Sequence, residues 1–206
     1  MENKKIKVGI VGGAGFTAGE LIRILIHHPL VKISSIVSTS NAGNLVSKVH
    51  EDLLGDTDLI FNEKLNGEEE VIFLCLGHGN SRKFLEQNQL KANVKVIDLS
   101  NDLRLKKQST FLTRDFIYGL IELNKDSIKA SNNIANPGCF ATSIQLALLP
   151  LAKNNLLKEA IHISAITGST GAGRELVNTT GFNYRNNNIS SYKEFTHQHL
   201  DEIKES

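Results

Sequence analysis

Cys139 lies in IANPGCFATS, residues 134–143, where Pro137 stiffens the backbone, Gly138 carries no side chain and an apolar run begins. The run Ile144, Leu146, Ala147, Leu148, Leu149 fits a buried helix. Cys139 then falls at its first turn, where free N–H groups and the positive end of the helix dipole favour a thiolate, the nucleophile of acyl transfer. From the residues alone, a nucleophile and a buried structural cysteine both stay open. Cys75, inside the apolar stretch VIFLCLG (71–77), reads as an inert core thiol.

A nucleophilic thiol needs a proton carrier, and seven histidines are available. His27 and His28 end an amphipathic pattern, and His50 and His162 have no motif around them. His78 follows an apolar strand in LGHGNS, a position from which side chains reach ligands. His197 and His199, in FTHQHLDEI, are two apart, a spacing that shares a face on a strand but not on a helix. No third or fourth ligand is spaced for a metal, so none is expected. Arg174, in GSTGAGRE, suits a phosphate or carboxylate, or a surface ion pair.

GIVGGAGFTAGE (9–20) places glycines at 12, 13 and 15 between a strand and a helix. Such a turn brings backbone close to a pyrophosphate, which then meets the N–H groups of the helix start. The candidate loop is Gly12, Gly13, Ala14 and Gly15, with Phe16 and Thr17 entering the helix. Its spacing departs from G-x-G-x-x-G. The second strand ends at Ser38, Thr39 and Ser40, with no carboxylate to repel a 2′-phosphate, which favours NADP(H) over NAD; no arginine supplies the usual countercharge.

These sites need a scaffold, and the hydropathy pattern supplies one. Strands are expected at 5–12, 31–40, 71–77 and 94–100, and helices at 17–28 and 81–90. That alternation predicts an α/β fold, a Rossmann-type doubly wound parallel sheet. A helix interrupted near Pro150 is expected over about 139–158, and a strand at 161–170 entering a Gly/Thr loop; the polar tail shows no clear period.

Composition narrows the classes further. A 40% hydrophobic, 22% charged chain of 206 residues with net charge +1 fits a globular protein and gives no field for nucleic acid or an acidic membrane. No apolar run is long enough for a bilayer, no signal peptide is visible, and two cysteines make no disulfide framework. A cytoplasmic setting is expected.

Six segments in this order, GIVGGAGFTAGEL, VIDLSNDLRL, YGLIELN, IANPGCFATS, STGAGRE and FTHQHLDEI, resemble the N-acetyl-gamma-glutamyl-phosphate reductase family, relatives of aspartate-semialdehyde dehydrogenase. The resemblance runs from about residue 6 to 203. It implies an NADP-binding Rossmann domain, residues 1–137, then the start of an α+β catalytic and dimerisation domain, 138–206, in a homo-oligomer. It implies a small acyl-phosphate substrate, reduced through a cysteine thioester in arginine biosynthesis. By position, Cys139 looks like the nucleophile and His197 like the acid/base partner. Thr167, Gly168, Arg174, His199 and Glu202 match substrate-facing positions, and His78 and Gly79 a loop near the cofactor. Thr39 stands where an arginine is common, Gly77 replaces a frequent proline, Phe140-Ala141 replaces Tyr-Pro, and Leu200-Asp201 replaces a polar-plus-proline pair. Family members continue past the H-x-H segment, so the second domain is expected to be incomplete in 206 residues. An aspartyl-phosphate or other N-acylated substrate, or a nucleotide-binding module without catalysis, are the alternatives.

Overall fold

The computed structural model describes residues 4–206, which fall into two compact units, one running to Asn136 and the other Pro137–Ser206. The first is a Rossmann-type α/β unit. It opens with β1 (Ile6–Val11), α1 (Phe16–Leu25) and β2 (Val31–Val37). β3 (Val71–Leu74), α2 (Asn80–Gln87) and β4 (Lys95–Asp98) follow. A small antiparallel pair, β5 (Thr110–Phe111) and β6 (Arg114–Asp115), precedes β7 (Ile117–Tyr118), α3 (Ile121–Ala130) and β8 (Asn133–Ala135). Six strands pair in parallel in the order β2-β1-β3-β4-β8-β7.

The chain runs from β1 outward to β2, then returns to β3 on the other side of β1. The carboxyl ends of β1 and β3 therefore form the switch point where open α/β sheets bind ligands. Apolar residues cover both faces of the sheet, as parallel strands require. Ala18, Ile22 and Leu25 of α1 pack with Ile10, Ile36 and Phe61. Ile72, Leu74 and Val96 pack with Leu85 of α2.

Several boundaries differ from the sequence-based expectation. α1 ends at Leu25 rather than His28, because Pro29 disfavours helical backbone just before it. β2 stops at Val37, since residues 39–41 turn into a short 3-10 segment. The β5–β8 region, with α3 inside it, was not legible as elements.

The second unit carries α4 (Cys139–Lys153), α5 (Phe182–Arg185) and α6 (His199–Glu205). α4 is continuous through Pro150. That proline has no N–H to offer the carbonyl four residues back, and its own carbonyl accepts the Asn154 side-chain amide at 2.7 Å. The strand expected at 161–170 is absent, and no strand occurs among the described residues of this unit. A strand needs a neighbour for its backbone groups, and none is present here. Ile161, Ile163 and Ile166 consequently stay exposed, Ile166 at 84%.

Candidate active site

In the first unit, the glycine loop is drawn tightly onto the sheet. The N–H groups of Gly12 and Gly13 both donate to Val37 O, at 3.1 and 2.8 Å. Gly12 has φ +83, and a Cβ there would stand 2.5 Å from Cys75 O, so only glycine fits this turn. Gly15 caps α1 with no side-chain hydrogen bond, and no acidic residue occupies the first turn. The first intrahelical bond is Gly19 N–H to Gly15 O at 3.0 Å. No acceptor among the described residues takes the Ala14 N–H. An anion-seeking helix end without a protein carboxylate or cap fits a dinucleotide pyrophosphate.

The amino end of α2 is the opposite case. Asp102 fills it, accepting Gly79 N–H at 2.6 Å on Oδ1 and the Ser81 and Arg82 N–H groups at 3.2 and 3.3 Å on Oδ2. Gly79 takes φ +80, and its amide is committed to Asp102 within the protein. His78 is exposed and its Nδ1 accepts Asn101 N–H at 3.1 Å. Behind α2, Asp98 is fully buried and receives Ser81 Oγ, Ser100 Oγ and Ser100 N–H at 2.6, 2.8 and 3.1 Å. Burial pushes its carboxyl up, and those three donors work against the push.

Of the three hydroxyls after β2, Ser38 is buried and accepts Asn41 Nδ2–H at 3.0 Å, whereas Thr39 and Ser40 are exposed. One residue with no sequence motif belongs to the loop's surroundings. His50 is buried, and its Nε2 lies 2.8 Å from Gly13 O. That contact spans 37 positions, and nothing local in the sequence announces it.

In the second unit, Cys139 is the first residue of a 15-residue helix and is exposed. The residues around it shape its setting. Gly138 donates its N–H to Glu202 Oε2 at 2.9 Å. A Cβ on Gly138 would overlap the His199 ring, so the approach of α6 to α4 depends on this glycine. Phe140 packs edge-on against His197 and His199, with ring centroids 5.4 and 6.2 Å away. Tyr192 meets His197 edge-on, with ring centroids 5.8 Å apart; burial, and then the charge of a Cys139 thiolate, push its hydroxyl up. Tyr192 thus joins the thiol's surroundings, a placement no sequence feature suggested.

His197 and His199 do meet, with ring centroids 4.5 Å apart, but not on a strand. The chain turns into α6 between them. His197 Nδ1 accepts His199 N–H at 3.1 Å, which places the proton of the neutral His197 ring on Nε2. Burial and then Lys193 hold His197 below its ordinary value, with Glu202 opposing. His199 and Glu202 are 7% and 3% exposed, with His199 Nε2 3.9 Å from Glu202 Oε1. Both lie inside the α4–α6 packing rather than facing an open pocket. Gln145 of α4 completes that packing by donating Nε2–H to Glu202 O at 3.1 Å and bonding Ser206 Oγ at 2.7 Å.

Thr167, Gly168 and Arg174 lie on an exposed loop with a 3-10 turn at Ser169–Ala172. Thr167 Oγ1 donates to Gly168 O at 3.3 Å and Gly171 N–H to Gly168 O at 3.2 Å, bonds that stay inside the loop. No group of three or more His, Cys, Asp or Glu suited to a metal occurs among the described residues. No helix among them is long and apolar enough to cross a membrane.

Residues 7–131 match the family described as semialdehyde dehydrogenase, NAD binding domain, and residues 139–206 match its dimerisation domain. The chain is 59% identical over 201 residues to N-acetyl-gamma-glutamyl-phosphate reductase of Flavobacterium johnsoniae, covering 98% of this chain and 62% of that protein. It is 54% identical to the protein of that name from Christiangramia forsetii, covering 98% and 61%. The chain thus spans about three-fifths of these relatives' length. Among solved structures, aspartate semialdehyde dehydrogenase with NADP from Candida albicans superposes with TM-score 0.53 at 17% identity, over 74% of this chain and 48% of that one. The Vibrio cholerae enzyme, aspartate semialdehyde dehydrogenase II complexed with ASA, gives 0.53 at 20% identity, over 73% and 47%. These two likenesses bear on the fold.

Proposed function

The chain belongs to the semialdehyde dehydrogenase family, and from that premise we propose that it serves the NADPH-dependent reduction of N-acetyl-gamma-glutamyl phosphate to the semialdehyde and phosphate, a step of arginine biosynthesis. The observation that carries the reading is Cys139, exposed at the amino end of a long helix, with its chain neighbours Gly138 and Phe140 against two imidazoles. The chain's 52–59% identity to reductases of that name supports the substrate.

The Gly12–Gly15 loop with Phe16 and Thr17 would hold the pyrophosphate. Thr39 and Ser40 would meet the adenosine ribose phosphate, with Ser38 holding their turn and His78 and Gly79 lying at the same sheet edge. When bound, the nicotinamide supplies a hydride.

The Cys139 sulfur attacks the acyl carbon. A carbon–sulfur bond forms, the carbon–oxygen bond to phosphate breaks, and the phosphate leaves with that electron pair and takes a proton from water. The product of this half is a thioester. After reduction the carbon–sulfur bond breaks, its electron pair returns to sulfur, and the aldehyde carbonyl forms. In both halves negative charge gathers on the carbonyl oxygen. The first-turn amides of α4 and the Nε2–H of His197 are the donors suited to it. His197 in this form acts by holding a proton toward that oxygen; its Nδ1 is occupied by His199 N–H. Glu202 and His199 set the position of Gly138 and hence of the sulfur. Thr167, Gly168 and Arg174 offer an exposed hydroxyl, backbone and guanidinium for the substrate's carboxylate or phosphate.

The site is read as cytoplasmic and the assembly as a homodimer or larger homo-oligomer, supported by the match to a dimerisation domain. The reverse reaction tests the whole reading. The chain is mixed with NADP, phosphate and N-acetylglutamate semialdehyde, and reduced nicotinamide is followed by absorbance. Turnover that disappears in Cys139→Ser while NADPH affinity stays within twofold is expected. Cofactor binding without turnover would indicate a nucleotide-binding module.

A further inference from the structure

We infer that His50 is a positioning residue for the dinucleotide loop, aiming one backbone amide of that loop at the pyrophosphate. The inference rests on the reading of Gly12–Gly15 as a dinucleotide loop.

His50 is 4% exposed and belongs to a segment pinned by two fully buried side chains, Val46 and Leu53. Its own N–H donates to Val46 O at 2.9 Å, and its carbonyl accepts Leu53 N–H at 3.0 Å. The imidazole is therefore held from both sides, with Phe61 tilted against it at 6.4 Å. Because the group opposite Nε2 is a carbonyl, Nε2 must carry the proton, and Nε2–H donates to Gly13 O at 2.8 Å.

The consequence follows from peptide geometry. The Gly13 carbonyl and the Ala14 N–H belong to one planar trans unit and point in opposite directions. Fixing the carbonyl on His50 turns the Ala14 N–H away from the protein body. That amide has no acceptor among the described residues. The rest of the loop is already held, since Gly12 and Gly13 donate to Val37 O. His50 thus secures the one remaining rotation of the turn, in advance of the ligand.

Gly19 provides an independent handle on the same ring. It lies in α1, and a Cβ there would overlap the His50 imidazole. An alanine at 19 favours the helix by propensity yet must displace the ring.

Equilibrium titration with NADPH, read by nucleotide fluorescence, tests the inference, with Tm recorded for each variant. His50→Leu removes the donor and should weaken binding about tenfold, the worth of one hydrogen bond. His50→Gln keeps a donor and should recover most of that loss. Val96→Ala, a core change in the other cluster and away from the ring, should lower Tm yet leave NADPH affinity within twofold. Gly19→Ala should weaken binding about as much as His50→Leu, but have no further effect in a His50→Ala background. Wild-type affinity in His50→Leu, or equal losses in His50→Leu and Val96→Ala, overturns the positioning role. Equal effects of Gly19→Ala with and without the imidazole also overturn it. If the unaltered chain does not bind NADPH, the dinucleotide reading itself fails and this inference falls with it.

Discussion

Glu202 of α6 places Oε2 2.9 Å from the backbone N–H of Gly138, the residue that caps the helix bearing Cys139. The carboxylate is almost wholly buried, so it acts as the internal support of that helix start. A helix amino end accepts an anion readily, and here the Glu202 side chain takes the Gly138 N–H.

Removing that support should be costly. Glu202→Ala leaves the Gly138 N–H buried and unmatched, a penalty of about 1–3 kcal/mol. Glu202→Gln keeps an oxygen for the same bond and should lose about half as much or less, since it forfeits only the charge-assisted part. Urea unfolding of both variants measures the difference. Equal stability of Glu202→Ala and wild type would show that the α4–α6 contact carries no weight.

The two thiols should separate cleanly by reactivity. Cys139 is exposed, whereas burial, and then the nearby Asp98, push Cys75 up to about 12. Iodoacetamide at neutral pH should add one carbamidomethyl group per native chain, located by mass spectrometry at Cys139. Cys139→Ser should take up none until denaturant is added. Rapid native labelling at Cys75 would contradict its packing against the core just after β3.

The elements legible in the sequence are those whose signal is local. The apolar runs of β1, β3 and β4 and the periodic face of α1 were readable because burial on a parallel sheet leaves a continuous or 3.6-residue pattern. The glycine turn was readable because Gly12 must take a positive φ. What escaped depends on distant partners. Ile161 and Ile163 alternate as in a strand, yet a strand forms only beside another. The spacing of His197 and His199 suggested one strand face, but a turn into α6 brings the rings together instead. Glu202 was expected from its position alone, while its bond to the Gly138 N–H, 64 residues away in sequence, had no local signal. His50 carried no signal because its partners, Gly13 and Gly19, lie more than thirty residues upstream.

His197 gives a prediction with a definite sign. Burial and Lys193 hold its ring below the ordinary 6.5, and protonation of Nδ1 would break the bond from His199 N–H. The folded state therefore binds this proton less tightly than the unfolded chain. Its contribution to stability is fully present above pH 6.5 and is lost as pH falls through the folded midpoint. Imidazole NMR should show a midpoint below 6.5 and an Nε2–H tautomer above it. A midpoint above that value would mean that attraction to Glu202 outweighs burial.

Asp98 should show the opposite dependence. Burial raises its carboxyl above the ordinary 3.8, although Ser81 and Ser100 donate to it. The folded state then holds the proton more tightly than the unfolded chain. This group's contribution is present below pH 3.8 and is lost as pH rises through the folded value. Asp98→Asn removes the titration while keeping the shape, and the two serine hydroxyls can rotate to suit a neutral amide. Relative to Asp98→Asn, the wild type should therefore gain stability as pH is lowered toward 4 from neutrality, measured by urea unfolding at a series of pH values. A stability difference that does not vary with pH would mean that the three donors cancel the effect of burial, so that Asp98 is as easily ionised inside the protein as in water.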